Sequence, residues 1–271
     1  MSNELSTIEI AEIQRFAREK LGLCRKENDI IGTQIFSILG IYARVIYYPL
    51  GEDAPWGFTR ISGSLNDASL EKPFVAINSS IPVDCQVFAA AHELYHIWYE
   101  QLPDMLPSDL LKEQNKALNE KKANRFAAEF LVDEMLLRQE IASYGIRLFT
   151  IKDILQLSSL FTVPYRTMVK RLFEIDMISK AALSHLLSET DETIRQCGKL
   201  YSIYTPEPDS RIAIDNLVEL AVTAFKRGYI TYEKLEYLLE LGGLEPLELG
   251  IAPEPDYSFP SEDELQSIME D

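Results

Sequence analysis

Two of the three histidines in this chain stand within five residues of each other, in the run Ala91-His92-Glu93-Leu94-Tyr95-His96. On a helix, side chains four residues apart share a face, with Cβ atoms about 5–6 Å apart. Two imidazoles so placed reach one zinc ion at bonds of about 2.0–2.1 Å. Glu93 lies between them and points near the same side, where it can take a proton from a metal-activated water. His-Glu-x-x-His therefore reads as a zinc hydrolase motif with a mechanical reason behind each letter. The plainer reading is a helix carrying two solvated or core histidines. With only three histidines in 271 residues, that is the weaker account of the pattern.

A catalytic zinc site takes three protein ligands and keeps one position open, so a third ligand must come from elsewhere. Leu102-Pro103 and Leu106-Pro107 break the chain after the first helix. Ser108 or Asp109 can then cap a second helix from about Leu110 to Val132. Its apolar stripe is Ala123, Phe126, Ala127, Phe130 and Leu131, the spacing of a buried face. Glu120 extends that stripe backwards, and a carboxylate on a buried stripe is costly unless it is paired or bound to metal. Glu120 is thus the expected third ligand, with Glu113 and Glu134 near the ends of the stripe as the next carboxylates in line. Glu129 falls on the opposite face and reads as solvated.

Other side chains could serve the same chemistry. Asn124, one turn after Glu120, fits either a partner that orients a ligating histidine or an ordinary surface asparagine. Stabilising a tetrahedral intermediate needs a further donor, and Tyr99, Tyr165, Arg166 and His185 all remain open for that role. Cys85 lies seven residues before His92, near the same face; a small buried hydrophobe is its expected role, ahead of lining the site.

The elements that must position these residues are legible in outline. Ile8–Lys20 has helical periodicity, and a second helix is expected over Asp29–Leu39, stopped at Gly40. The runs IYARVIYYPL, WGFTRIS and FVAIN are rich in β-branched and aromatic residues and read as three strands. Residues 74–78 are the expected exposed edge, where an extended peptide could add by backbone hydrogen bonds. Pro82 suits the first turn of the motif helix. From about Tyr144 onward the chain reads as helical. Thr150 caps one helix through Leu160, and Val163-Pro164 opens another to Ile175 that carries Arg166, Lys170 and Arg171. This pair looks like a helix-turn-helix, but the chain's acidity favours packing or cleft-shaping over DNA reading. A later hairpin spans Ile212–Arg227 and Tyr232–Leu241, with Thr231 as a cap.

AHELYH, followed downstream by EKKANRFAAEFLVD, resembles the ImmA/IrrE family of metallo-endopeptidases, whose pattern is AHELxH and later ExxANxFAAxLL. The likeness spans about Val45 to Leu172, and its specific part is the two motif helices. It implies zinc bound by His92, His96 and Glu120, one ion per chain, with Glu93 as general base. It implies an α+β, zincin-like catalytic domain with a small antiparallel or mixed sheet, followed by a mainly helical region. It also implies a protein substrate, typically a transcriptional repressor or antitoxin-like regulator. Tyr95 departs from the family's usual glycine before the second histidine, which puts the packing behind the metal in question. The alternative from another class is a non-proteolytic zinc-binding regulator that acts by protein or DNA binding.

The formal charge of −17 argues against nucleic acid as a direct partner, since phosphate contacts need a basic surface. No run of 18 apolar residues suggests a membrane span, the first residues lack the apolar core of a signal peptide, and three widely spaced cysteines suit a reducing cytoplasm. Nine acidic residues and no basic ones fall between Glu245 and Asp271. The expected layout is a zincin-like domain over 1–143, a helix-turn-helix-like segment over 144–200, a helical hairpin over 201–250 and an acidic tail over 251–271.

Overall fold

Helix α1 (Thr7–Leu23) starts where Ser6 and Glu9 cap each other's backbone in a capping box. After it come α2 (Ile35–Tyr42), strands β1 (Arg44–Tyr48), β2 (Gly57–Arg60) and β3 (Phe74–Asn78), the motif helix α3 (Val83–Tyr99) and α4 (Asp109–Leu131). Helices α5 (Glu134–Ser143), α6 (Ile151–Phe161), α7 (Tyr165–Glu174), α8 (Lys180–Ser188) and α9 (Asp191–Tyr201) follow, then β4 (Ala213–Ile214), α10 (Leu217–Lys226) and α11 (Tyr232–Leu241). The structure is a computed structural model that describes residues 5–60, 72–99 and 109–252, with the side chains of 109–116 outside that description. The class is α+β, as the sequence predicts. The chain divides into two compact units, Met1–Asp215 and Asn216–Asp271.

In the first unit the sheet runs β2-β3-β1-β4, with β1 and β3 parallel and both outer pairs antiparallel. Strand β3, expected at the edge, is instead interior, because Val75, Ala76, Ile77 and Asn78 are all buried between neighbours on both sides. The edges among the described strands fall to β2 and β4. The expected second helix also differs. Gly32 takes a left-handed φ of +47° and opens a short 3-10 turn, so α2 begins only at Ile35. It then runs through Gly40, the expected terminator, to Tyr42, where Ala43 turns extended to enter β1.

Helix α4 buries the stripe read from its spacing. Ala123, Phe126, Ala127, Phe130 and Leu131 are each at most 2% exposed and pack against α1 and α3. Burying side chains of this size contributes about 1.5–3 kcal/mol each, which fixes the rotation of α4 about its axis. Glu129, expected to be solvated, is 7% exposed and held by Arg125, Arg171 and Gln14. Arg171 is itself fully buried; it donates to Glu129, to Glu174 and to the Val132 carbonyl. It is therefore a core residue of α7. Glu134 pairs with Arg138 on α5. The Glu113 side chain, and the expected caps Ser108 and Asp109, lie outside the described side chains.

Thr150 caps α6 through a capping box with Asp153. Ile154, Leu157, Phe161, Met168, Val169 and Leu172 from α6 and α7 join the same core as α3 and α4. In the second unit, described by itself, α10 and α11 pack around Ala221, Leu235 and Leu239, and Thr231 caps α11. Gly228, with φ +71°, makes the turn between them. The acidic segment from residue 253 lies outside the described residues. No described helix is long and apolar enough to cross a membrane.

Candidate metal centre

Helices α3 and α4 bring three side chains to one point. The Nε2 atoms of His92 and His96 lie 3.0 Å apart, Glu120 Oε2 is 3.1 Å from His92 Nε2, and Glu120 Oε1 is 3.9 Å from His96 Nε2. Ligands on one tetrahedral ion at bonds of about 2.0–2.1 Å stand about 3.4 Å from one another, so these separations suit a shared cation. Among the described residues this is the group of histidine, cysteine and acidic side chains placed to hold one.

The polarity of the cluster agrees. Asn124 Oδ1 lies 3.0 Å from His92 Nδ1. An acceptor there fixes the proton on Nδ1 and leaves Nε2 with its lone pair aimed at Glu120 and His96. Electron-rich atoms facing each other at 3 Å repel unless a proton or a cation lies between them. A cation bound by two imidazoles and a carboxylate is the donor set of a zinc hydrolase, and the residues present fit that group. Glu120 is half exposed while the two imidazoles are mostly buried, so the open side of the cluster is the carboxylate's side.

Glu93 is 4% exposed and sits beside the histidines, with Thr59 Oγ1 donating to its Oε2 at 2.6 Å. Burial pushes its carboxyl above the usual carboxylate range, opposed by the Thr59 hydroxyl and the neighbouring imidazoles. Tyr95, the departure from the resembled pattern, is buried in the core and meets the His96 ring edge-on at 5.8 Å. It is 1% exposed, stacks on Tyr99 at 5.0 Å and packs its edge toward Phe16 and against Phe126. A large aromatic therefore fills the core behind the motif helix without displacing the ligands.

A pocket of about 270 Å³ opens onto His92, Glu93, Glu120 and Asn124, with Trp56, Gly57 and Phe88 at its rim. It shares Trp56, Phe88 and Asn124 with a groove of about 1580 Å³ walled by α7. The four open candidates for a further donor fare differently. Tyr165 and Arg166 line the groove but not the small pocket. The Arg166 guanidinium is tied to the Leu187 carbonyl and Asp191. Tyr99 is occupied in the aromatic stack, and His185 is exposed on α8 near Glu189. Cys85 is half-buried and lines the groove, its thiol pushed up by burial and by the Asp84 charge. Sequence reasoning missed Thr59. Strand alternation in GFTR puts Gly57 and Thr59 on one face, but no spacing along the chain ties that face to Glu93.

Residues 43–173 match the model of a peptidase family, M78, described as the IrrE N-terminal-like domain. No curated protein and no solved structure matches the chain.

Proposed function

Residues 43–173 match the M78 (IrrE N-terminal-like) peptidase family model, and on that premise we propose that this chain is a zinc endopeptidase that hydrolyses a peptide bond in one specific partner protein, a transcriptional repressor or antitoxin-like regulator. The observation that carries the reading is the convergence of His92, His96 and Glu120 beside a buried carboxylate at the mouth of one pocket. Held by those three residues, zinc supplies Lewis acidity to a scissile carbonyl and to the attacking water.

The chain's own groups do the rest. Glu93 takes the proton of the attacking water and returns it to the leaving amine. Its burial removes competing solvent. Asn124 holds the His92 ring in the tautomer that leaves Nε2 free to ligate. Flanking substrate residues lie in the groove that continues from the pocket. Its floor follows α4 from Asn124 to Ala128, and Ala128 stands eight residues beyond Glu120, about 12 Å at 1.5 Å per residue. That length accepts three or four residues of extended chain at about 3.3 Å each. Lys170, exposed on the α7 wall, is a groove cation open to an acidic side chain of the substrate.

The test incubates the zinc-loaded chain with repressor-type proteins encoded beside its gene. Discrete fragments are expected, lost on chelation and regained when zinc is added back. Fragments that persist in chelator, or a metal-free protein as purified, would sink the reading.

A further inference from the structure

Strand β2 touches Glu93 with alternate residues. Exposure alternates along it, with Phe58 and Arg60 outward and Gly57 and Thr59 turned inward. Thr59 Oγ1 donates to Glu93 Oε2 at 2.6 Å. A Cβ at Gly57 would stand 3.2 Å from Glu93 Oε1, 3.2 Å from the Ala76 carbonyl and 3.3 Å from the Ile77 side chain, so only glycine leaves room there without displacing a neighbour. Glu93 is almost wholly buried, so its aim is set by these protein contacts rather than by water.

We infer that Thr59 is a positioning residue for the general base: its hydroxyl pins Oε2, and Gly57 keeps the space beside Oε1 clear, so that Oε1 is the oxygen left to take the proton. This rests on the peptidase reading above. A buried carboxylate with one oxygen committed to a donor cannot swing between rotamers without losing a charge-assisted hydrogen bond, which is among the stronger contacts a side chain makes. The same strand carries a second duty. The Asn78 N–H bonds the Trp56 carbonyl, so in the antiparallel pair residues 56, 58 and 60 turn their backbone groups to β3, and those of Gly57 and Thr59 face the edge on which no described strand pairs. A peptide strand added at that edge bonds the very residues that hold the base. A role in docking alone must therefore be separated from a role in positioning.

The first arm of the test needs neither metal nor substrate. It is a double-mutant cycle on the thermal midpoint of the metal-free full chain. Thr59→Val should lower the midpoint by several degrees in the native background and not in Glu93→Ala, where the hydroxyl has no acceptor to lose. Equal lowering in both backgrounds overturns the contact. The second arm uses the zinc-loaded chain and the cleaved partner as probe. Thr59→Val should reduce kcat about tenfold, the scale of one hydrogen bond to a charged group, with metal content and KM unchanged and with most of the rate restored in Thr59→Ser. Thr59→Ala serves as the second variant should valine disturb the strand. A native kcat in both, or a rise in KM alone, overturns the positioning role. Cleavage at the native rate by Glu93→Gln would instead remove Glu93 as the base, and absence of cleavage by the native zinc-loaded chain would overturn the peptidase reading, while the thermal cycle still decides the contact.

Discussion

Two glutamates nine residues apart on α4 behave as opposites. Glu120, at the end of an apolar stripe, is half exposed and faces two imidazoles. Glu129, on what reads as the solvent face, is 7% exposed and gripped by Arg125 and Arg171, with Gln14 adding a third donor. One end of the stretch from Glu120 to Glu129 carries a carboxylate that faces two imidazoles, and the other carries one gripped by three donors. A buried charge tolerated only through a cation partner is structural bookkeeping for the core. A carboxylate aimed at two imidazole nitrogens is suited to share a cation with them. The contrast separates the working end of α4 from the end that fixes its rotation.

The largest expected effect lies at the working end. Glu93→Gln should keep the metal and the fold and lose about 10²–10⁴ in cleavage rate, the usual contribution of a general base; a rate within a few-fold of native removes Glu93 from the mechanism. His92→Ala and His96→Ala should each abolish stoichiometric zinc, read by metal analysis of the purified chain. Glu120→Gln should do so too, while changing the stability of the metal-free chain by no more than about 0.5 kcal/mol, as for a surface substitution.

The opposite end should give the reverse pattern. Arg171→Met leaves a buried Glu129 short of a partner and should cost about 3–5 kcal/mol of unfolding free energy, a large share of a total of about 5–15 kcal/mol. The fraction that still folds should bind zinc in full. If Arg171→Met lost zinc at native stability, or Glu120→Gln unfolded the chain, the division of α4 into two ends would collapse.

That division shows where reading the sequence succeeded and where it could not. The apolar stripe of α4 was legible because helical periodicity is local, and the same periodicity with the motif spacing singled out His92, His96 and Glu120, which the structure brings close together. The misreading of Glu129 came from the same local view. A helix has one apolar stripe in its sequence, but α7 covers a second face of α4 with an arginine, and the complement of Glu129 stands 42 positions away at Arg171. Strand β3 was misplaced for a similar reason: FVAIN looks the same at an edge or in the middle, and only the pairing of β2 and β1 on its two sides decides. Thr59 was invisible because its partner lies 34 residues on, across the sheet-to-helix layer.

A smaller effect should come from the groove wall, which belongs to neither end of α4 but leads to the working one. Lys170→Glu should slow cleavage of the partner several-fold through KM, and leave zinc content and thermal midpoint unchanged, since the side chain is exposed. Arg166→Glu should also lower the thermal midpoint slightly, because Arg166 bridges α7 to the Leu187 carbonyl and Asp191. An unchanged KM in Lys170→Glu would take α7 out of the substrate path.

The smallest effect is expected from the stretch farthest along the chain from α4. The segment after Ala252 holds seven acidic residues and no basic ones, so removing it changes the formal charge from −17 to about −10. Cutting after Ala252 rather than Gly250 spares Ile251, which packs against the core of the second unit. The proposed zinc ligands and the elements that carry them fall within the first unit, Met1–Asp215, so zinc content and Glu93-dependent chemistry should be untouched. What the segment can alter is encounter. A DNA-binding partner carries a basic surface, and an acidic enzyme draws it in by long-range attraction that fades with salt. The truncated chain should therefore cleave its partner more slowly by a few-fold at low ionic strength, with the deficit in kcat/KM closing as salt rises beyond the point where a Debye length of about 8 Å screens the field. A salt-independent deficit would mean direct docking by the segment. Loss of zinc from a soluble truncated chain would mean that the working end of α4 depends on residues well outside the unit that contains it.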